Sequence, residues 1–166
     1  MKKCFIVLLL AVLLTGCDAR ESFETMLDDC NLPVMAQVQQ VQLALPKEAA
    51  TPSMENGEGG KIYLCDGYTV TLQTMDAGDL DGTLRQITGF GREQLTVMQT
   101  TTDDIDRYQC VWSAAGEGGD HVGRAVILDD GSYHYAVTVM ADFASAGELA
   151  SVWQEILDSA QLVSTD

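Results

Sequence analysis

The stretch that most restricts the fold of this chain lies near its end, at residues 145–160. Ser145 and Glu148 have the spacing of a capping box, which predicts the start of a helix. The apolar side chains that follow recur at the three- and four-residue spacing of one helical face; they are Leu149, Val152, Trp153, Ile156, Leu157 and Ala160. A stripe this continuous has to be buried against a large apolar surface, and a β-sheet is the only such surface that the rest of the sequence predicts.

The sequence between residues 41 and 141 predicts that sheet, because it contains alternating apolar and polar residues and runs of β-branched and aromatic residues. Asp66-Gly67 predicts a two-residue hairpin turn in which both residues adopt positive φ. Residues 129–132 predict a second hairpin, so neighbouring strands are expected to be antiparallel. The predicted strands cover residues 41–45, 62–65, 68–74, 95–100, 108–113, 122–128 and 133–141.

Shorter helices are expected on either side of the first hairpin. One is expected to begin at the N-cap residue Asp79 and to end at Gly89, with the apolar residues Leu80, Leu84 and Ile87. The other ends before Pro33 and would dock its apolar stripe on the domain; the stripe consists of Phe23, Met26, Leu27 and Cys30. Residues 47–60 hold mainly turn formers and predict a mobile surface loop. The expected fold class is therefore α+β, with an antiparallel sheet of about six to seven strands packed by a long C-terminal helix and one or two shorter helices.

The first residues of the chain have the features of an export signal. Lys2 and Lys3 precede an uninterrupted apolar run at residues 5–14, which is the order of a signal peptide. A helix that crosses ~30 Å of hydrocarbon needs about twenty apolar residues. This run is too short for that, so it is expected to be cleaved off rather than to remain as a membrane span.

The residues that end this run, Leu14-Thr15-Gly16-Cys17, resemble the lipobox of bacterial lipoproteins. The resemblance implies cleavage between Gly16 and Cys17 and lipidation of the Cys17 sulfur. Two or three acyl chains give stable anchoring, at ~0.8 kcal/mol for each buried CH₂ group. The alternative is an ordinary secretory signal with a cysteine at this position by chance. The expected organisation is a cleaved signal at residues 1–16, a lipidated tether at 17–22 and one α+β domain at 23–166, held at the extracytoplasmic face of the cell membrane.

The chain is strongly acidic, with a formal net charge of −16, and loss of Lys2 and Lys3 with the signal makes it more so. Such a charge repels nucleic acid and anionic lipid headgroups, so no nucleic-acid partner is expected. It can attract cationic partners or divalent ions, although solubility alone accounts for it more simply. The expected partners are the membrane, through the lipid on Cys17, and an envelope protein.

Three cysteines remain when Cys4 has left with the signal and Cys17 carries lipid, and disulfides can form outside the cytoplasm. We favour a disulfide between Cys65 and Cys110, because both lie at strand positions. Cys30 lies in the N-terminal segment. The alternative, nearly as well supported, is that all three are reduced and buried as small apolar residues.

The sequence predicts no catalytic residue, metal site or cofactor. His134 alternates with tyrosines in a predicted strand and is expected at the sheet surface. His121 lies in a predicted glycine-rich loop with Glu117 and Asp120; these residue types can bind metal, but the spacing is untypical and a solvated loop is favoured. Residues 102–106 predict a solvated turn. The strand aromatics, for which core packing is favoured over an exposed binding face, are Tyr63, Tyr68, Tyr108, Trp112, Tyr133 and Tyr135.

The order of predicted elements over residues 36–163 resembles the PsbP-like α/β/α sandwich. The resemblance is carried by Leu45-Pro46 after an early strand, by a helix at residues 80–88 and by the terminal helix with Trp153 and Ile156. A strand and a long hairpin also contribute, through Arg107, Tyr108, Trp112, Asp130-Gly131 and Tyr133-His134-Tyr135. That family consists mostly of non-catalytic accessory, assembly or binding modules, and this is what the resemblance implies here.

Three functions remain open on the sequence alone. The first is a membrane-anchored, non-enzymatic interaction or accessory module of the cell envelope, and the absence of a catalytic motif favours it. The second is a lipoprotein that binds a small molecule, glycan or cation, which the acidic excess and the strand aromatics favour. An envelope enzyme is the third, because an active site assembled from distant residues leaves no local motif.

Overall fold

The computed structural model describes residues 37–57, 59–116 and 119–163. Its strands are β1 (Gln40–Gln42), β2 (Met54–Glu55), β3 (Lys61–Cys65), β4 (Tyr68–Asp76), β5 (Val97–Thr102), β6 (Ile105–Gly116), β7 (Gly119–Asp129), β8 (Tyr133–Asp142) and β9 (Gln161–Val163). Its α-helices are α1 (Leu80–Thr88) and α2 (Ala146–Asp158), and short 3-10 helices form at Lys47–Ala49 and Arg92–Gln94.

Seven of these strands form one antiparallel sheet, in the spatial order β2-β3-β4-β8-β7-β6-β5. The other two, β1 and β9, pair antiparallel with each other as a separate ribbon. The predicted α+β class, with a sheet of this size and a C-terminal helix, is confirmed. The membership of the sheet differs from the prediction, because β1 lies outside it and β2 supplies the seventh strand.

The two helices cover opposite faces of the sheet. Val126 and Leu128 of β7 pack with the apolar stripe of α2, including Trp153. Ala125 and Ile127, which alternate with them along β7, pack with Leu84 of α1. Alternate residues of a strand point to opposite faces, so the layers follow the order helix, sheet, helix.

The hairpins form where the sequence predicts them, but one turn differs in type. Cys65 pairs with Tyr68 across the Asp66-Gly67 turn, and of these two turn residues only Gly67 has positive φ, at 78°. The expectation of positive φ at both residues is therefore wrong. That geometry appears instead between β5 and β6, where Asp103 and Asp104 have φ values of 50° and 62°. Aspartate tolerates this conformation better than most non-glycine residues.

Helix α1 has the predicted ends. The Asp79 side chain accepts a hydrogen bond from the Asp81 amide at 3.0 Å, and Gly89 ends the helix with φ 81°. At the start of α2 the predicted capping box is wrong, because Ser145 has a helical backbone and its side chain makes no capping hydrogen bond. A hydroxyl can cap only from the extended conformation that precedes a helix.

Residues 47–60 were expected to be a mobile loop. The described residues of this segment instead form a 3-10 helix and strand β2. The 3-10 helix buries Ala49, which is 2% exposed, and β2 pairs with β3 as an edge strand. The predicted strand at 41–45 is shorter, since β1 ends at Gln42 and the amide of Ala44 donates to the Ser159 hydroxyl at 2.8 Å. The signal, the lipobox, the tether and the helix predicted before Pro33 lie outside the described residues.

Within the described part of the chain, neither helix has the length and apolar content needed to cross a bilayer.

Candidate functional site

A groove of about 650 Å³ opens between the segment at residues 38–41 and the outer strands of the sheet. Its floor comes from β4 and the start of β8, and Lys61 of β3 lies on its outer side. The residues that line it are Val38, Gln39, Gln40, Val41, Gly59, Lys61, Leu72, Thr74, Met75, Asp76, Gln86 and Tyr133. The lining combines apolar surface, side-chain amides and one charge of each sign, which suits a ligand with both apolar and charged parts.

A hydrogen-bond network fixes the wall of the groove at Gln39. The Gln39 amide donates to the Tyr135 hydroxyl oxygen at 2.9 Å, and the Gln39 side chain donates to an Asp130 carboxylate oxygen at 3.0 Å. Tyr135 in turn donates to the same oxygen of Asp130, also at 3.0 Å. Tyr135 is fully buried in β8, so the wall is tied to the core and not only to the surface.

The electrostatics of this network depend on Asp130. Burial acts to raise the pKa of its carboxyl group, but hydrogen bonds from the amides of Tyr133 and Ser132 and from the side chains of Gln39 and Tyr135 outweigh burial and lower the pKa below its usual range. Burial also raises the pKa of Tyr135 to about 12. Asp130 therefore stays a carboxylate and Tyr135 a hydrogen-bond donor at neutral pH.

The other end of the wall is tied to the C-terminal end of the chain. Gln40, Val41 and Gln42 of β1 pair with Val163, Leu162 and Gln161 of β9. This pairing uses one edge of β1. The β9 residues Gln161 and Leu162 share a cavity with Arg107 and Leu128 of β6 and β7, so β9 lies toward that half of the sheet. No strand of the described chain pairs with the second edge of β1, which in a strand of three residues exposes the backbone groups of only one or two of them.

Two opposite charges lie on the floor side of the groove. Lys61 is paired with Leu72 across β3 and β4, and Asp76 follows Leu72 by four positions on the same face of β4. At 3.4 Å per residue, the two backbone positions are roughly 14 Å apart. Asp76 forms no ion pair with another described residue. Lys61 lies directly opposite Glu55 on β2, so a carboxylate of the chain already faces its charge.

A hydroxyl, an imidazole and a carboxylate also come together beneath α1, and the sequence did not indicate it. The Thr83 hydroxyl oxygen lies 2.7 Å from Nδ1 of His134, and Nε2 of His134 lies 3.3 Å from an Asp129 carboxylate oxygen. His134 was expected at the sheet surface, which is wrong, because it is 3% exposed and Thr83 is 5% exposed. With both groups closed off from solvent, the trio joins α1 to the sheet and offers no reactive group to a substrate.

His121 and Asp120 occupy strand β7, not the loop that was expected. Asp120 pairs with Ala115 and His121 with Ala114 of β6. Nδ1 of His121 lies 3.1 Å from a carboxylate oxygen of Asp142 on β8. The third residue considered as a metal ligand, Glu117, lies outside the described residues, and those that are described contain no cluster suited to a metal ion.

The structure does not bring Cys65 and Cys110 together. Both are free thiols, and their strands β3 and β6 are separated by three others. Four strand spacings amount to roughly 19 Å, far beyond the reach of a disulfide. The favoured pairing is therefore not formed. Burial raises the pKa of the Cys110 thiol to about 11, so it packs as a small apolar residue. Cys30 lies outside the described residues.

The strand aromatics are largely core residues, as the sequence analysis favoured. Tyr63, Tyr68 and Trp112 are each 8% exposed, and Tyr68 lies against Trp153 with ring centroids 6.5 Å apart. Tyr108 and Tyr133 are half-buried, and Tyr133 lines the groove.

No protein-family model matches this chain, so the resemblance to the PsbP-like family remains a prediction. No curated protein sequence matches it either. Among solved structures, the chain is similar to the one described as the crystal structure of LpqN involved in cell envelope biogenesis of Mycobacterium tuberculosis. The TM-score is 0.48 and the sequence identity 12%, over 76% of this chain and 84% of that one. Likeness at this level establishes neither a shared fold nor a shared function.

Proposed function

We propose that this chain is a lipoprotein of the cell envelope, anchored at the extracytoplasmic face of the membrane by acyl chains on Cys17, and that its folded domain binds a partner and catalyses no reaction. The groove beside β1 is the observation that carries the binding role. It is a concave surface that combines apolar residues, side-chain amides and charged side chains of both signs.

The anchoring part of the proposal rests on the sequence. The order of basic residues, a short apolar run and Leu14-Thr15-Gly16-Cys17 is that of a lipoprotein precursor. A domain whose net charge repels anionic headgroups needs such a covalent anchor if it is to stay at a membrane.

The binding part of the proposal rests on the residue types that line the groove. Among the described residues that line it there is no histidine, cysteine or serine, which are the commonest bases and nucleophiles. The buried trio of Thr83, His134 and Asp129 contributes no residue to it. A wall that is fixed by hydrogen bonds suits recognition, because a preorganised site loses little entropy on binding.

Intact mass measurement of the protein from its native membrane tests the anchor. The wild-type chain is expected to begin at residue 17 and to carry two or three acyl chains, and the Cys17→Ala variant to carry none. An unmodified wild-type chain released to the medium contradicts the anchoring proposal.

Site-specific photocrosslinking in cells tests the groove. A photoreactive amino acid at Gln40, in the groove wall, is expected to give discrete adducts. The matched control places the same amino acid at Glu155, which is exposed on α2, and is expected to give none of them. Identical adducts from both positions contradict the assignment. So does turnover of an envelope substrate by the purified protein, if one polar substitution abolishes it.

A further inference from the structure

We infer that the α2 side of strands β5 and β6 is a second docking surface, which binds an amphipathic α-helix of a partner protein and places one carboxylate of that helix at Arg124. The inference goes beyond the proposed function, because this surface shares no lining residue with the groove beside β1. Three observations carry it: the strip of sheet that α2 leaves uncovered, the apolar side chains exposed there, and a half-buried cation without a partner.

Helix α2 covers only part of its face of the sheet. It packs on β7 and β8, and β6 and β5 follow toward the edge of the sheet. Two strand spacings make this uncovered strip roughly 10 Å wide, and the six residues of β5 make it roughly 20 Å long. An α-helix is about 10–12 Å across, and about 13 residues of helix span 20 Å. One further helix beside α2 would therefore complete this layer.

Two large apolar side chains are exposed on the strip. Gln109 lies opposite Met98 on one side and Val126 on the other, and Val126 packs with α2. Met98 therefore lies on the α2 face of the sheet, and so does Val111, two positions from Gln109. Met98 is 61% exposed and Val111 is 53% exposed. They lie one strand and two residues apart, which is roughly 8 Å, so one partner helix can contact both.

The same two strands are covered on their other face. There Cys110 and Trp112 are buried with Leu84 of α1, and they are 5% and 8% exposed. The exposure of β5 and β6 is thus confined to the α2 side. Neighbouring apolar side chains that stay exposed mark interaction sites more often than single ones do, which favours a partner on this side.

Arg124 supplies the charge that a partner would meet. It lies at the inner border of the strip, directly opposite Val111. It is half-buried and forms no hydrogen bond or ion pair with any described residue. Asp158 lines the same cavity of about 550 Å³, but it accepts a hydrogen bond from Gln154 at 2.7 Å. Because a guanidinium group can bind a carboxylate through two parallel hydrogen bonds, a glutamate or aspartate of the partner helix is expected at Arg124.

The charge of the whole chain restricts the rest of the partner. With a formal net charge of −16, the chain repels a helix that carries many carboxylates, and it repels a second copy of itself. The partner helix is therefore expected to carry its acidic residue where Arg124 meets it and neutral or basic residues elsewhere. Gln94, Gln109 and Gln154 line the cavity and can donate to and accept from polar groups at its rim.

Titration of the mature protein with a designed helical peptide, followed by NMR chemical shifts, tests the inference. The peptide has about 14 residues, a leucine stripe at helical spacing and one glutamate beside the stripe. A hydrocarbon staple keeps so short a helix folded. Matched peptides carry glutamine or lysine in place of the glutamate. Shifts are expected at residues 96–98, 109–111 and 124, and the glutamate peptide is expected to bind about three- to tenfold more tightly than the glutamine peptide.

Variants of the protein assign the contacts. Arg124→Glu is expected to reverse the preference, so that the lysine peptide binds more tightly than the glutamate peptide. Lys47→Glu, which changes an exposed charge outside the strip, is expected to keep the wild-type order. Met98→Gln is expected to weaken all three peptides by about three- to tenfold, through loss of apolar contact. Leu64→Gln is its matched control, since Leu64 is 57% exposed on β3, and it is expected to change none of them.

Binding that ignores the charge on the peptide, or a preference that survives Arg124→Glu, contradicts the inference, because the helix would then not meet Arg124. Absence of shifts at the strip overturns it, and so do shifts confined to the groove beside β1. Shifts along β5 that depend on protein concentration without any peptide would mean that a second copy occupies the strip, which also overturns it. The groove is tested separately by adducts at Gln40, so either proposal can fail while the other holds.

Discussion

Arg107 of β6 forms hydrogen bonds with the C-terminal end of α2. Its guanidinium group donates to the carbonyl oxygen of Leu157, in the last turn of α2, and to that of Ala160, just past the end of the helix. The last turn of α2 has no basic residue of its own. A cation at this position also interacts favourably with the helix dipole, so Arg107 adds to the local bonds that end α2, which include one from the Ser159 hydroxyl to the Ile156 carbonyl oxygen at 2.6 Å.

Replacement of Arg107 by Met is expected to lower the free energy of unfolding by about 2–3 kcal/mol, because two hydrogen bonds to a charged donor are lost and two carbonyl groups are left partly buried. Urea unfolding measures this. Arg124→Met is the matched control, since Arg124 lies on the neighbouring strand and makes no hydrogen bond or ion pair with the described residues. Equal losses in the two variants would show that the capping bonds contribute nothing.

Asp130 gives a pH dependence with a defined sign. Its pKa is lower in the folded chain than in the unfolded chain, where it is about 3.9, so its contribution to stability is complete above that pH. The contribution is lost as the pH falls below about 4 through the folded pKa. Asp130→Asn is expected to cost about 1–3 kcal/mol at pH 7 and to flatten the fall in stability below pH 4. Urea unfolding at a series of pH values measures both effects. Asp66→Asn, in an exposed turn, is expected to keep the wild-type slope, and an unchanged slope in Asp130→Asn would contradict the assignment.

Gly123 lies under the ring of Trp112 across β6 and β7. A Cβ atom at Gly123 would lie 2.3 Å from that ring, closer than atoms can approach, so Gly123→Ala is expected to destabilise the fold by about 1–3 kcal/mol, the usual cost of overpacking. Gly147→Ala on α2 is the matched substitution, where nothing lies within 4 Å. It is expected to stabilise by about 0.4–1 kcal/mol. Thermal denaturation of both variants tests the pair, and a shift in the same direction for both would contradict this explanation.

At the scale of elements, the sequence predicts those parts of the fold that depend on residues close together in the chain. The stripe of α2, the Asp79 and Gly89 ends of α1 and the two hairpins each depend on residues a few positions apart. The β1–β9 ribbon joins segments 119 positions apart in the contact between Gln42 and Gln161, and no local pattern indicates it. Because this ribbon forms one wall of the groove, the site could not be predicted either.

The burial of His134 was unpredictable for a related reason. Alternation in a hairpin strand places it on the face opposite Tyr135, but whether that face is open depends on where α1 docks. Thr83 and Asp129 satisfy its two ring nitrogens. Asp129 belongs to the same predicted hairpin, but no local pattern brings Thr83 of α1 to it. The sequence shows which face a residue occupies, and only the packing shows what covers that face.

The pairing of β1 with β9 is expected to hold the wall of the groove in place, and a shortened chain tests this. A chain that ends at Ala160 lacks β9 and is expected to lose hydrogen-exchange protection at the β1 amides that donate to β9, which are alternate residues of that strand. It should retain the seven-stranded sheet, since β9 has no partner there. A chain that ends at Val163 is the control and is expected to behave as wild type. Retention of protection at β1 in the shorter chain would show that Gln39 and Ala44 alone hold the wall.

At the scale of the whole molecule, the proposed acyl anchor and the strongly acidic character of the chain would act in opposite directions at a membrane. The lipid draws the chain to any bilayer, whereas the domain is repelled by anionic headgroups within a Debye length, which is ~30 Å at 0.01 M salt and ~8 Å at 0.15 M. Lipidated wild-type protein is therefore expected to sediment with neutral vesicles at both salt concentrations. With vesicles rich in anionic lipid it should sediment less at 0.01 M salt and recover at 0.15 M.

The Cys17→Ala protein is expected to sediment with neither kind of vesicle at either salt concentration, because an acidic domain has no electrostatic attraction to a bilayer and the anchor is absent. Binding of this variant to anionic vesicles would mean that a basic or apolar surface of the domain engages lipid directly. Salt-independent binding of the wild type to anionic vesicles would mean that the domain stands farther from the headgroups than ~30 Å. Recovery at 0.15 M salt would instead mean that the acidic domain lies within about 30 Å of the bilayer surface.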